Sequence, residues 1–218
     1  MTPVTTLNAH ELRDFFLLTP RIMSDYRPRV SPSAMLYVYS NTPDNDASSL
    51  AFAARHYCAG FTRTIGVCEG ETAHGYAGFG SSCQQLVARG VPTRSIEPVK
   101  VEGNVNTYSE ASVLAKRCRE LGGDLEVVAA PFHIVRAFMT TVTALRNEGV
   151  RHRVYARVGE PLSWRKEATH SQGTLRATRA ALLAEELLRL ERYRAPQFGG
   201  MMTPAEVIAY LDSREEIG

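Results

Sequence analysis

Short apolar segments alternate with segments of helical periodicity from residue 34 onward. The apolar segments end in turn-forming residues, which is typical of buried strands, and they occupy 34–40, 62–70, 95–101, 124–130 and 152–158. Between them, apolar residues recur at helical spacing over 48–60, 79–90, 106–123 and 132–149. Strands separated by helices need crossover connections, so the pattern predicts an α/β fold with a mostly parallel five-stranded sheet and helices on both faces.

Two of these strands carry a sign of their position in the sheet. Residues 124–130 are apolar at Leu125, Val127 and Val128, as burial on both faces requires, so we expect this strand near the centre and parallel to the first. Pro98 cannot donate a ladder hydrogen bond, which favours an edge position or a bulge for 95–101.

Three parts lie outside this repeat. Residues 7–18 predict an N-terminal helix with Asn8 and Glu11 as cap and partner, and 159–173 form a long polar loop that we interpret as a lid, mobile until a ligand binds. Amphipathic helices are predicted over 174–195 and 203–216. The chain therefore divides into an N-terminal helix and linker (1–33), an α/β core (34–160), and a C-terminal part (161–218) of lid loop and helices that pack on the core.

Composition narrows the class of protein. The 218 residues are 44% hydrophobic and 22% charged, with a net charge of +2 and no long basic run, so no nucleic-acid partner is expected. No segment reaches the roughly 18 apolar residues that a membrane span needs, and the N-terminus does not look like a signal peptide, so we expect a cytoplasmic protein with no membrane partner. The four cysteines form no CxxC pair and are interpreted as reduced core thiols, and no metal is predicted.

Polar residues gather where strands give way to helices. In a parallel sheet all these junctions lie at one edge, and ligands bind there in the crevice where the strand order reverses. The junction residues are Asn41, Thr42 and Asp44; Glu69, Gly70, Glu71 and His74; Asn104, Asn106 and Thr107; Pro131, Phe132 and His133.

His133 and Arg136 stand one helical turn apart at the start of a helix. Cations oppose the helix dipole there, so either they lie on a solvated helix face or they line a pocket in which an anionic ligand compensates for them. We expect His133 to be exposed and to contribute little to the core. Thr107 and Glu110 also have two interpretations, a plain capping box or part of a catalytic site.

Three motifs occur in order: Gly90, Val91 and Pro92 in GVPTRSI; Asn106, Thr107, Glu110 and Ala111 in NTYSEA; and His133, Arg136 and Ala137 in VVAAPFHIVRA. Together they resemble the DUF218 family, also called the YdcF-like or SanA-like family, over residues 34–160. The resemblance implies a Rossmann-like three-layer α/β/α fold with a pocket built from the motif residues. It adds Arg55 to the pocket, matches Glu185 or Glu186 to an acidic residue of the last helix, and implies S-adenosylmethionine as a ligand.

Three hypotheses about function follow. The first is an enzyme that hydrolyses or transfers a group of a phosphorylated or nucleotide-like metabolite. In it His133 is the general acid or base, Glu110 or Asp44 orients water, and Arg136 and Arg55 hold the anion. The remaining ligand-binding residues are Asn41, Thr42, Gly70, Asn106 and Thr107.

The second hypothesis is a binding protein without catalysis, with S-adenosylmethionine as the leading ligand and Asp44 or Glu69 on the ribose hydroxyls. The third is an assembly role, in which helix 174–195 joins copies of the chain into a homo-oligomer. The chain contains no GxSxG elbow, P-loop or HExxH motif that would name a reaction.

Overall fold

The computed structural model describes residues 8–72, 75–169 and 175–216. Helices and strands alternate along the chain in the order α1 Ala9–Met23, β1 Met35–Val38, α2 Pro43–Cys58, β2 Ile65–Glu69, α3 Phe79–Val87, β3 Ile96–Lys100, α4 Thr107–Arg117, β4 Leu125–Ala129, α5 Ile134–Asn147 and β5 Val154–Val158. The C-terminal part adds β6 Glu167–Thr169, β7 Arg176–Thr178, α6 Arg179–Tyr193 and α7 Pro204–Glu216. Within these described ranges, no helix has the length and apolar character needed to cross a membrane.

The first five strands form one parallel sheet in the order β3-β2-β1-β4-β5. This confirms the predicted α/β fold and its five-stranded sheet. β4 lies inside the sheet between β1 and β5, with β1 at the centre, and β3, which contains Pro98, lies at an edge as expected.

The sheet is covered on both faces, which makes three layers. Side chains of one parity, such as Tyr37 and Val127, pack in the core that α4 and α5 cover. Leu36 and Val128 point the opposite way, into the core under α2 and α3. Leu18 of α1 and Val207 of α7 belong to the first of these cores, so the terminal helices share the apolar interior of the sheet.

α2 begins at Pro43, whereas the sequence pattern placed its start at residue 48. SNTPDND was interpreted as a turn, but Pro43 occupies the first helical turn, where the fixed φ of proline suits a helix and its missing N–H is not needed. Asp44 also lies in that turn, where negative charge is favourable to the helix dipole.

The capping box of α4 lies one residue earlier than predicted. The Asn106 side chain accepts from the backbone N–H groups of Tyr108 and Ser109, and the Ser109 hydroxyl accepts from Asn106 N. Thr107 and Glu110 therefore do not cap the helix, and their side chains are buried at the sheet. The helix also ends at Arg117, short of the predicted residue 123.

The C-terminal part contains two strands that the sequence pattern did not predict. Residues 167–169 of the predicted lid loop are β6, which pairs antiparallel with β7. Residues 176–178 of the predicted helix 174–195 are β7, so α6 starts only at Arg179, with Thr178 as its cap. Residues 170–173 of the predicted lid, with Thr174, lie outside the described residues.

The outer edge of β5 is covered by side chains rather than by another strand. Asp25 Oδ2 accepts from Ala156 N at 2.7 Å, and the Tyr210 hydroxyl accepts from Val154 N at 2.8 Å. Arg214 of α7 donates to the Val154 carbonyl and holds Asp25 in a buried ion pair.

Candidate functional site

The strand order reverses beside β1, because α2 leads from β1 to β2 on one side while β4 pairs with β1 on the other. The starts of α2 and α5 therefore lie on either side of the crevice at the carboxyl ends of β1 and β4. We call the polar residues around this point, Ser40, Asn41, Asp46, Thr107, Glu110, His133 and Arg136, the carboxyl-end cluster.

Glu110 is the most unusual residue of the carboxyl-end cluster. It is 1% exposed, and its Oε2 accepts from Tyr37 Oη at 2.7 Å and from the backbone N–H and the hydroxyl of Ser40, each at 3.0 Å. Burial raises the pKa of Glu110 to about 7, although the donors and the nearby Arg136 act in the opposite direction. All the hydrogen bonds that the described residues make to Glu110 end on Oε2, so Oε1 is the atom that a water or substrate would meet.

Asp46 is a second buried carboxyl group, which the sequence interpretation missed. Burial raises its pKa well above the ordinary value, and the negative charge of Glu110 raises it further, against a hydrogen bond from the Asn41 backbone. The missed signal was a polar stripe at helical spacing: Thr42, Asn45, Asp46 and Ser49 are all buried on the inner face of α2.

Arg136 is paired inside the protein. Its Nε and Nη2 donate to the two carboxylate oxygens of Glu186 at 2.6 and 3.0 Å, and its Nη1 donates to Thr107 Oγ1 at 2.6 Å. Thr107 Oγ1 also lies 3.2 Å from His133 Nε2. A chain of polar contacts therefore joins α6, α5 and α4.

This chain of contacts corrects the expectation that His133 is an exposed junction residue. His133 and Arg136 are 1% and 2% exposed, so both are core residues. The carboxylate that compensates for Arg136 comes from α6, which explains why a cation can stand near the start of α5 without a bound anion.

Asn41 points a donor into the same region. The residue is 3% exposed, its Oδ1 accepts from Thr42 N, and its Nδ2 has no hydrogen-bond partner among the described residues. A buried amide of this kind favours a ligand or water as its acceptor.

The hairpin β6–β7 is fastened over the start of α2. The Thr169 carbonyl accepts from Thr42 Oγ1 at 2.9 Å, and Thr169 N donates to Asp44 Oδ2 at 3.2 Å. Arg179, buried at the start of α6, donates to Asn45 Oδ1, to the Asp44 carbonyl and to the Ser163 carbonyl. Thr42 and Asp44, predicted for ligand and catalysis, therefore hold the described part of the predicted lid.

Arg55 is not brought to the carboxyl-end cluster. It lies in the last turn of α2, about 16 Å along the helix from Asp44 at 1.5 Å per residue. Its side chain is 65% exposed and forms an ion pair with Glu160. Arg55 had been added to the pocket by the resemblance, and not by its spacing along the chain.

Gly70 lies at the expected edge, and the structure gives a packing reason for it. A Cβ at residue 70 would come within 2.5 Å of Val105 Cγ2, so only glycine allows this close approach. Asn106 caps α4 at the same edge. His74, which the sequence also placed at this edge, lies outside the described residues.

No known family model matches the chain, and no curated protein is significantly similar to it. The resemblance to the DUF218 family therefore stays a prediction that rests on its three motifs.

Proposed function

We propose that this protein is an enzyme that hydrolyses or transfers a group of an anionic, phosphorylated or nucleotide-like metabolite in the crevice at the carboxyl ends of β1 and β4. The observation that carries the proposal is Glu110, a buried carboxyl group whose pKa is raised to about 7. Such a group both accepts and releases a proton near neutral pH, which is what a general acid–base catalyst must do.

Glu110 would transfer the proton through Oε1. Tyr37 and Ser40 fix Oε2, so the carboxyl group is held in one orientation while its other oxygen faces the reacting water or hydroxyl group. Asp46 supports this role because the negative charge of Glu110 adds to the effect of burial on the pKa of Asp46, so a second carboxyl group near the first keeps its proton to higher pH.

Thr107, His133 and Arg136 are positioning residues in this proposal. Arg136 is fixed by Glu186, and its positive charge limits how far the pKa of Glu110 rises. His133 contacts Thr107, which places its imidazole between the start of α4 and the edge of the Tyr39 ring, 6.0 Å away between centroids.

A second candidate function is binding of a nucleotide-type ligand such as S-adenosylmethionine without catalysis. Glu69 favours it, because this residue is exposed at the carboxyl end of β2, where an acidic residue commonly bonds ribose hydroxyls in doubly wound folds. Asp44, the other acidic residue considered for that role, already accepts from Thr169 N.

The substitution Glu110→Gln tests the choice between the two. With a substrate found by screening phosphate esters and nucleotides, we expect kcat to fall by about 10²–10⁴-fold, while the dissociation constant of the ligand changes little. Glu102→Gln is the matched control, since Glu102 is an exposed glutamate just beyond β3. Full turnover by Glu110→Gln, with ligand binding intact, would remove the catalytic assignment and leave the binding function.

A further inference from the structure

A cavity of about 230 Å³ lies between the start of α4 and the end of α6. It is lined by Asn104, Asn106, Arg189, Arg192, Tyr193 and Phe198. Asn106 is followed directly by Thr107, the residue that contacts both His133 and Arg136. The cavity therefore adjoins the carboxyl-end cluster, outside the set of residues described there.

The charged side chains that line this cavity are both arginines. Arg189 is partly buried and lies near Arg136, and these two causes, burial first, lower its pKa to about 10. Two guanidinium groups facing one small space, with the start of α4 beside them, favour an anion there.

The remaining walls of the cavity are closely packed. The rings of Tyr193 and Phe198 stack with centroids 4.9 Å apart and planes at 10°. The next residue, Gly199, packs so closely on Tyr108 that a Cβ would overlap the ring, and its carbonyl accepts from Asn147 Nδ2 at 2.6 Å. A wall that is already packed in this way needs little rearrangement to bind a ligand.

We propose that this cavity binds a phosphate group, with Arg189 and Arg192 as its guanidinium ligands. The inference rests on the proposed function for the rest of the ligand. Arg136 does not line this cavity, and it already donates through its Nε and Nη2 to Glu186 and through its Nη1 to Thr107. Arginine suits a phosphate because its planar fork pairs with two oxygens at once.

Calorimetric titration with inorganic phosphate, and with adenosine 5′-monophosphate against adenosine, tests the proposal. We expect Arg189→Gln and Arg192→Gln each to weaken phosphate and the monophosphate by about 10-fold or more, the factor for a lost hydrogen bond to a charged group. Arg189→Lys should keep part of the affinity, because it keeps the charge and loses the fork. Arg192 is exposed, so its substitution leaves the fold intact.

The matched control is Arg194→Gln. It removes the same charge from the end of the same helix, but Arg194 pairs with Glu11 at 2.6 Å and does not line the cavity. Affinity for phosphate that falls equally in Arg194→Gln would show a general charge effect and overturn the site, as would unchanged affinity in both cavity variants.

Titrations with Glu110→Gln separate this proposal from the proposed function. Phosphate bound by that variant as tightly as by the unsubstituted protein, and lost in the arginine variants, supports the site whether or not Glu110 is catalytic. No measurable binding of phosphate or monophosphate to the unsubstituted protein would overturn the site. The catalytic role of Glu110 could then still be tested by turnover of a substrate that has no phosphate group.

Discussion

Two glutamates of this protein are equally buried, yet their pKa values are shifted in opposite directions. Glu110, near the carboxyl ends of the strands, and Glu126, in β4, are each 1% exposed. Burial raises the pKa of Glu110 to about 7, whereas the pKa of Glu126 is lowered to about 2. Burial raises both, so the difference comes from the partners.

The hydrogen-bond donors to Glu110 are neutral, whereas Glu126 is paired with the guanidinium group of Arg157. Glu126 accepts from Arg157 Nε at 2.5 Å, contacts His56 Nε2 at 2.9 Å and accepts from Ser33 Oγ at 2.7 Å. These contacts outweigh the effect of burial and fix the carboxylate in its charged form. A buried carboxylate that is fully paired with cations has a structural role. A buried carboxyl group whose pKa lies close to neutral pH is available for proton transfer.

The largest expected difference is in stability. Glu126→Gln should lower the free energy of unfolding by about 3–5 kcal/mol, because it leaves Arg157 and His56 without their carboxylate. Glu110→Gln should not lower the free energy of unfolding at pH 7, because the neutral amide can still accept from Tyr37 and Ser40 and avoids the cost of ionising a buried carboxyl group. Urea unfolding of both variants measures this, and equal losses would mean that the two glutamates do not differ in kind.

The pH dependence of stability should show two opposite slopes. The folded-state pKa of Glu126 is about 2, below its ordinary value of 4.5, so its contribution is complete above about pH 5 and is lost as the pH falls toward 2. The folded-state pKa of Glu110 is about 7, above its ordinary value of 4.5. Its contribution to stability is therefore complete below about pH 4.5 and is lost as the pH rises toward 7. The raised pKa of Asp46 acts in the same direction. Each slope amounts to about 3 kcal/mol at 1.36 kcal/mol per pKa unit.

Urea unfolding at about pH 3, 5 and 7 resolves these slopes. Glu126→Gln should flatten the change below about pH 5, and Glu110→Gln the change above it. A slope above pH 5 that survives Glu110→Gln unchanged would assign it to other groups and contradict the raised pKa of Glu110.

The smallest expected effect comes from removing the Tyr37 hydroxyl group, a neutral hydrogen-bond donor to Glu110. Tyr37→Phe removes the 2.7 Å hydrogen bond to Glu110 Oε2, so the pKa of Glu110 should rise further, at a cost of about 1 kcal/mol to the ionised form. In an active enzyme the acid limb of the pH–rate profile should move to higher pH. Tyr39→Phe is the control, because Tyr39 contacts Thr141 instead, and an equal displacement there would exclude a specific role for Tyr37.

The sequence predicted the sheet well because period and turn residues are local signals. All five strands lie inside their predicted segments, and Pro98 correctly marked an edge. The capping boxes show the limit of such reasoning. Asn8 with Glu11 forms as predicted, but at α4 the chain uses Asn106 with Ser109 instead of the predicted Thr107 with Glu110.

The candidate site was predicted only in part, because its contacts join residues far apart in the chain. His133, Thr107 and Arg136 were expected together and do meet. The ion pair of Arg136 with Glu186 spans 50 residues, and the hydrogen bond from Arg179 to Asn45 spans 134, so spacing along the chain carries no trace of either. The expectation that Arg136 holds an external anion failed for this reason.

The side chains along β5 also determine whether another strand can add to this edge of the sheet. An open strand edge is a template for another chain, yet Val154 and Ala156 already have Tyr210, Asp25 and Arg214 on their outward backbone groups. The opposite edge strand, β3, contains Pro98, which has no N–H to offer. Addition of a strand to the five-stranded sheet is therefore opposed at both of its edges.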